Sequence, residues 1–107
     1  MQSTYDKIQY YTIKETEKSS LIAKLEVFFA CNDRIKSAIL FGSVNRRSRI
    51  RDLDIAIQAE PELTFKEQLN LNAELELQLN IPIDLIQITQ TPENVKSNIT
   101  KTGVKIK

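Results

Sequence analysis

The sequence predicts an α+β (α/β-like) domain in which a small mixed β-sheet has helices packed on one face. Three short apolar segments with strand character supply the sheet. A helical periodicity runs from Ile13 to about Asn32, with apolar residues recurring at spacings of three and four. The chain has 107 residues, 41% of them hydrophobic, so we expect one domain over residues 1–107.

Composition excludes several kinds of chemistry. The sequence has no histidine, which excludes Ser-His-Asp catalysis and histidine-based metal sites. Its single cysteine, Cys31, excludes an internal disulfide, and its two glycines exclude the full Gly-rich phosphate-loop patterns. The net charge of +1 gives no general signal for nucleic acid or membrane. No secretory signal or membrane span is recognisable, so we expect a cytoplasmic protein.

The predicted strands are short and mostly apolar. The first ends at Gly42, and the second alternates, with Leu53, Ile55 and Ile57 on one face. A final pair of apolar residues alternates with lysines, as in a short edge strand. The four segments are Ser37–Phe41, Asp52–Ala59, Ile81–Ile88 and the pair Val104 and Ile106.

The two ends of the chain have different characters. Residues Met1–Thr12 are polar and aromatic, which indicates a loose arm or a first helical turn, and we assign no chemical role to their tyrosines. Near the C-terminus, Pro92 marks a helix start and Gly103 its end.

The stretch Thr64–Leu79 is ambiguous from local pattern alone. Leucines alternate with polar residues, which is the period of a strand. However, β-branched residues are absent from its Leu-rich part, and Thr64 can cap a helix with Glu67 three residues later.

Gly42 and Ser43 stand where a buried strand ends. Glycine lets a backbone N–H approach an anion closely, and serine adds a hydroxyl donor, so the pair is a candidate phosphate site. An ordinary helix cap after a strand explains the same two residues.

Three aspartates form the second candidate element. Asp52 and Asp54 are two apart in a strand and therefore project from one face, where a divalent cation would relieve their repulsion. Asp84 interrupts an otherwise apolar strand. Oxygen ligands of this kind suit Mg²⁺ or Mn²⁺, and Asp84 could instead be the base for an attacking hydroxyl. Solvated strand positions are the alternative for all three.

The Gly42–Ser43 turn and the three aspartates together predict the relative directions of the strands. Gly42 ends its strand and Asp52 starts the next, so these strands should be antiparallel if the residues meet. Asp84 is near the start of its strand, so that strand should run parallel to the one that begins at Asp52. A parallel pair requires a crossover, usually a helix, and this requirement decides the ambiguous stretch Thr64–Leu79 in favour of helix.

Four arginines lie between the glycine turn and the aspartate pair, at positions 46, 47, 49 and 51. They could hold phosphate oxygens or a nucleic-acid strand, or form a solvated loop that offsets the aspartates. Cys31 follows an apolar helical face and is expected to be a core or helix-end residue.

The segments AILFGSVNRRSRIRDLDIAI and IPIDLIQI together resemble the minimal nucleotidyltransferases of the polymerase-β-like superfamily. In that family a strand ends in Gly-Ser, a short helix follows, and the next strand opens with Asp-x-Asp. A crossover helix and a strand with a third acidic residue complete the pattern. The resemblance covers roughly Ile35–Ile88 and implies the nucleotidyltransferase fold.

The resemblance also implies roles for individual residues. Gly42, Ser43 and Arg46 would bind the nucleotide. The catalytic residues and ligands of Mg²⁺ (or Mn²⁺) would be Asp52, Asp54 and Asp84. The substrate would be a nucleoside triphosphate, ATP, from which AMP is transferred with release of pyrophosphate.

The small stand-alone members of this family are commonly antitoxins paired with a HEPN-type helical toxin. Some transfer AMP to a tyrosine of that toxin. The resemblance therefore implies a hetero-oligomer with a HEPN-type protein. From the composition we expect no membrane partner and no nucleic-acid partner.

Two alternatives stay open. The first is a weakly active or inactive domain of the same fold that neutralises its partner by binding alone. The spacer Val44–Arg51 favours it, because its eight residues are fewer than is usual in the family. The second is a small nucleic-acid-binding protein that uses the arginines. Near-neutral charge and the lack of interleaved aromatics disfavour it.

Overall fold

The computed structural model describes residues 10–45 and 49–107. Three helices and six strands lie within these ranges. In chain order they are β1 (Tyr11–Thr12), α1 (Glu15–Ala30), β2 (Ile35–Phe41), β3 (Arg49–Ile50), β4 (Leu53–Ala59), α2 (Phe65–Leu79), β5 (Ile83–Gln87), α3 (Glu93–Thr102) and β6 (Val104–Lys105). None of the described helices is long and apolar enough to cross a membrane.

The main sheet is mixed, with strand order β5-β4-β2-β6. Strand β2 pairs antiparallel with β4 and β6, whereas β4 and β5 pair in parallel. These are the orientations that the sequence predicts from the positions of Gly42, Asp52 and Asp84. The short edge strand near the C-terminus is also confirmed.

The helices cover both faces of this sheet. Helices α1 and α2 bury Leu25, Phe29, Leu71 and Leu75 against one face in the main core. Helix α3 instead packs Ile99 on Ala56 and neighbouring apolar residues of the opposite face. The expectation of helices on one face therefore holds for α1 and α2 and is corrected for α3. The physical reason is that β2, β4 and β5 carry apolar side chains on both faces, so both need cover.

The crossover helix predicted over Thr64–Leu79 is confirmed as α2 (Phe65–Leu79). Thr64 caps it, because its hydroxyl accepts from the Glu67 backbone N–H and the Glu67 side chain accepts from the Thr64 N–H. The alternating leucines divide between two sides of the helix. Leu71 and Leu75 are buried, whereas Leu69 and Leu77 are exposed.

Polar side chains of α2 also cover the outer edge of β5. Gln68 donates to the Leu85 carbonyl, Asn72 accepts from the Leu85 N–H, and Glu76 accepts from the Ile83 N–H. Because β5 is the last strand of the sheet, these side chains satisfy backbone groups that have no neighbouring strand.

Several predicted boundaries differ from the structure. Part of the expected loose arm is strand β1, in which Tyr11 pairs with Ile50 of β3. Strand β4 begins after Asp52, and β5 ends at Gln87 because Ile88 starts a short 3₁₀ turn. Cys31 ends helix α1 as one alternative proposed, but it is exposed and not part of the core.

Candidate functional site

Gly42 begins a tight turn at the end of β2. Residues Gly42–Asn45 form one 3₁₀ turn, and the φ angle of Gly42 is 82°, a left-handed conformation that favours glycine. A Cβ built on Gly42 would overlap the Asp54 carboxylate. Asn45 holds the far end of the turn, since its side-chain amide donates to the Leu40 carbonyl at 2.9 Å. The glycine therefore brings the turn directly against the first residues of β4.

The three aspartates meet beside this turn. One carboxylate oxygen from each of Asp52, Asp54 and Asp84 lies within 4.8 Å of the other two. Asp52 and Asp54 are half-buried, and Asp84 is exposed. The convergence that the sequence predicts is therefore present in the fold.

Strand register explains this convergence. Asp54 stands opposite Phe41 in the antiparallel pair β2–β4 and opposite Asp84 in the parallel pair β4–β5. Asp52 is two residues before Asp54, just ahead of the strand. All three side chains thus gather where β2 ends and where β4 and β5 begin, on the face opposite α1 and α2.

The cluster is electrostatically unfavourable on its own. Burial, followed by the charges of Asp52 and then Asp84, raises the pKa of Asp54 to about 7, and the nearby Arg51 opposes this shift. Two or three ionised carboxylates this close require a proton or a cation. A purely oxygen donor set fits Mg²⁺ or Mn²⁺ better than softer metals.

The arginine segment is only partly described. Arg46, predicted to bind nucleotide, and Arg47 lie outside the described residues, and Ser43 lies within the turn. Arg49 stacks over the Tyr10 ring, with its guanidinium carbon 4.5 Å from the ring centroid. Arg51 is exposed next to Asp52. The segment Tyr10–Thr12 therefore holds in place residues Arg49 and Ile50, which lead into the aspartate pair.

Sequence reasoning missed this contribution of the N-terminal segment. The run Tyr10–Ile13 is aromatic and β-branched, which is a signal for a strand. Its pairing partner is only two residues long, so the pattern alone does not reveal it.

The fold and the aspartate cluster define a nucleotidyltransferase domain. The family model for polymerase beta nucleotidyltransferases matches residues 23–107. The chain therefore belongs to the polymerase beta nucleotidyltransferase family. A search among curated proteins gives no significant match.

Solved structures with this fold include antitoxin complexes. A toxin–antitoxin structure with AMP-PNP has 22% identity and a TM-score of 0.67, and the match covers 82% of this chain and 71% of the other. A Shewanella oneidensis complex of a tri-AMPylated HEPN toxin with its MNT antitoxin has 19% identity and a TM-score of 0.64, with coverages of 80% and 71%. The MntA-HepT toxin–antitoxin structure has 18% identity and a TM-score of 0.63, with coverages of 84% and 71%. At these identities the likeness establishes a shared fold.

Proposed function

We propose that this domain transfers AMP from ATP to a hydroxyl group of a HEPN-type helical protein and thereby acts as its antitoxin. The observation that carries the proposal is the cluster of three aspartates against the Gly42 turn. In this proposal residues 1–107 act as one domain, and the protein works in the cytoplasm, where ATP is present.

Each element of the site has a proposed role. Asp52, Asp54 and Asp84 would hold Mg²⁺ (or Mn²⁺), which supplies electrostatic stabilisation of phosphate oxygens when it is bound. The backbone of Gly42 and Ser43 would contact the terminal phosphates, with Arg46 as a further phosphate ligand. The exposure of Asp84 leaves it accessible to an incoming acceptor.

The proposed reaction exchanges one bond at the α-phosphorus. The acceptor oxygen forms a bond to the α-phosphorus, and the bond from that phosphorus to the bridging α,β-oxygen breaks. Pyrophosphate leaves with the bonding electron pair. The acceptor's proton passes to a carboxylate at the edge of the cluster, and Asp84 is the proposed base because its side chain is the exposed one of the three.

Two of the structures similar in fold support this reaction class. One contains AMP-PNP, an ATP analogue, and another contains an AMPylated HEPN toxin beside its antitoxin. The present chain shares their fold and has the carboxylates that such a transfer requires.

The test is transfer of labelled AMP to the helical protein that co-purifies with this chain from its native host. We expect the wild-type chain to label that protein and Asp54→Asn to lose the activity by on the order of 10³-fold, because a charged group is removed from the reacting centre. Asp33→Asn is the matched control, since Asp33 is exposed in the turn before β2. Equal labelling by Asp54→Asn and the wild type would refute the proposed site.

A second candidate is neutralisation by binding alone. The short spacer Val44–Arg51 between Ser43 and Asp52 favours it. If the wild-type chain binds its partner tightly and blocks its toxicity without labelling it, the fold acts as a binding module.

A further inference from the structure

We infer that one exposed row of helix α2 is the docking surface for a helix of the partner protein. This outer row consists of Phe65, Leu69, Ala73 and Leu77. The identity of the partner as a HEPN-type protein rests on the proposed function. The location of the surface is argued from this chain.

The outer row is apolar without contributing to the core. Phe65 is 75% exposed, Leu69 53% and Leu77 83%. The core of this region is already filled by Leu71 and Leu75 from another side of the helix. Three large apolar side chains on one exposed helix face indicate an interaction surface.

The spacing of the row suits another helix. Its four members are four residues apart, so they form a continuous ridge along α2. Ridges of this kind pack into the grooves of a facing helix, and the small Ala73 in the middle permits close approach. Addition of a strand is disfavoured here, because the α2 side chains Gln68, Asn72 and Glu76 already bond the outer edge of β5.

Charge around the row specifies the partner further. Helix α2 itself carries three carboxylates, Glu67, Glu74 and Glu76, and one basic residue, Lys66, a net charge of −2. A partner helix with apolar side chains flanked by arginine or lysine would be complementary in both respects.

The row also leads toward the aspartate site. Glu76, next to Leu77, bonds the backbone of Ile83, and Asp84 follows Ile83 at the same end of β5. Asp84 lies on the opposite face of the sheet from α2. A partner seated on the outer row would have to extend around the start of β5 for its acceptor hydroxyl to approach the carboxylates.

The test compares binding of variants, by titration calorimetry, to the helical protein that co-purifies with this chain from its native host. We expect the double variant L69Q/L77Q to bind at least about 30-fold more weakly, because two anchors of the apolar ridge are lost. The single variant F65Q should weaken binding in the same direction. V95Q is the matched control, because Val95 is 39% exposed on α3, on the other face of the sheet, and its affinity should stay within about twofold. Affinity of the wild type should also fall as salt is raised.

The readouts separate this inference from the proposed function. Binding by D52N/D54N should persist while AMP transfer is lost. Loss of affinity in L69Q/L77Q together with absent transfer by the wild type would support the surface and refute the enzymatic proposal. Unchanged affinity in both L69Q/L77Q and F65Q would overturn the docking surface. A dimer of the chain alone that L69Q/L77Q dissociates would also overturn it and assign the row to a second copy.

Discussion

Two carboxylates near opposite ends of strand β4 have pKa values that shift in opposite directions. At its start, burial and two neighbouring aspartates raise the pKa of Asp54 to about 7. Beyond its end, the hydrogen bond from Arg34 and a backbone hydrogen bond from Thr64 lower the pKa of Glu67 to about 2. Arg34 also donates to the carbonyls of Pro61 and Glu62, which ties the start of β2 to the crossover. The carboxylate that helps to hold the fold, Glu67, is thus neutralised by an arginine. The aspartate cluster keeps an excess of negative charge that can bind a cation.

The largest expected difference between these two ends is in metal binding. Asp54→Asn should lower the affinity for Mn²⁺ by at least about 100-fold, because it removes a charged oxygen ligand from the cluster. Glu67→Gln should leave that affinity unchanged. Titration followed by the electron paramagnetic resonance of free Mn²⁺ measures both, and a similar loss in the two variants would contradict the comparison.

Gly42→Ala tests how closely the turn approaches the aspartates. The added methyl overlaps Asp54, and alanine is strained at the positive φ of this position. We expect the free energy of unfolding to fall by about 1–3 kcal/mol, measured by urea denaturation. Ser97→Ala, at an exposed position of α3, is the control and should change stability by less than about 0.5 kcal/mol. If Gly42→Ala is as stable as the wild type, the turn does not approach Asp54 this closely.

The pH dependence of stability should carry the signature of Asp54. Its folded pKa lies above its ordinary value of 3.8, so the native state binds more protons and loses stability as pH rises from about 4 to about 7. After allowance for solvent screening, we expect a loss of about 1–2 kcal/mol without metal. Asp54→Asn should flatten this part of the profile, and Mg²⁺ should restore wild-type stability at pH 8. A wild-type profile that rises across this range would contradict the assignment.

Glu67 should produce the opposite and smallest trend. Its folded pKa lies below its ordinary value of 4.5, so its stabilising contribution is complete above that value and is lost as pH falls toward 2. Thermal melts of Glu67→Gln should show a weaker decline in Tm over this acidic range than melts of the wild type. An identical decline would mean that the Arg34 pair contributes nothing measurable.

The sequence predicts those parts of the site that depend on where each strand begins or ends. The positions of Gly42, Asp52 and Asp84 within apolar segments determine which strands are parallel, and the parallel pair determines that α2 is a helix. Local pattern alone left α2 undecided between strand and helix. Its leucines serve a core side and an exposed side at once, so they alternate without forming a strand.

The remaining features depend on contacts between distant segments. Strand β1 exists because Tyr11 meets Ile50, and neither two-residue segment has a pattern that requires pairing. The face of the sheet on which α3 packs could not be predicted from the sequence either. Strand β2 has apolar side chains on both faces, so its pattern does not indicate which helix covers which face. The pKa of Asp54 could not be anticipated numerically, since it depends on burial in the fold.

The covered edge of β5 has a consequence for the protein before it meets any partner. Exposed sheet edges are the usual starting points of aggregation, and here Gln68, Asn72 and Glu76 occupy the outer backbone groups of Ile83 and Leu85. The opposite edge, β6, is only two residues long and carries the exposed Lys105. The main sheet therefore offers a second copy of the chain little free edge along which to pair.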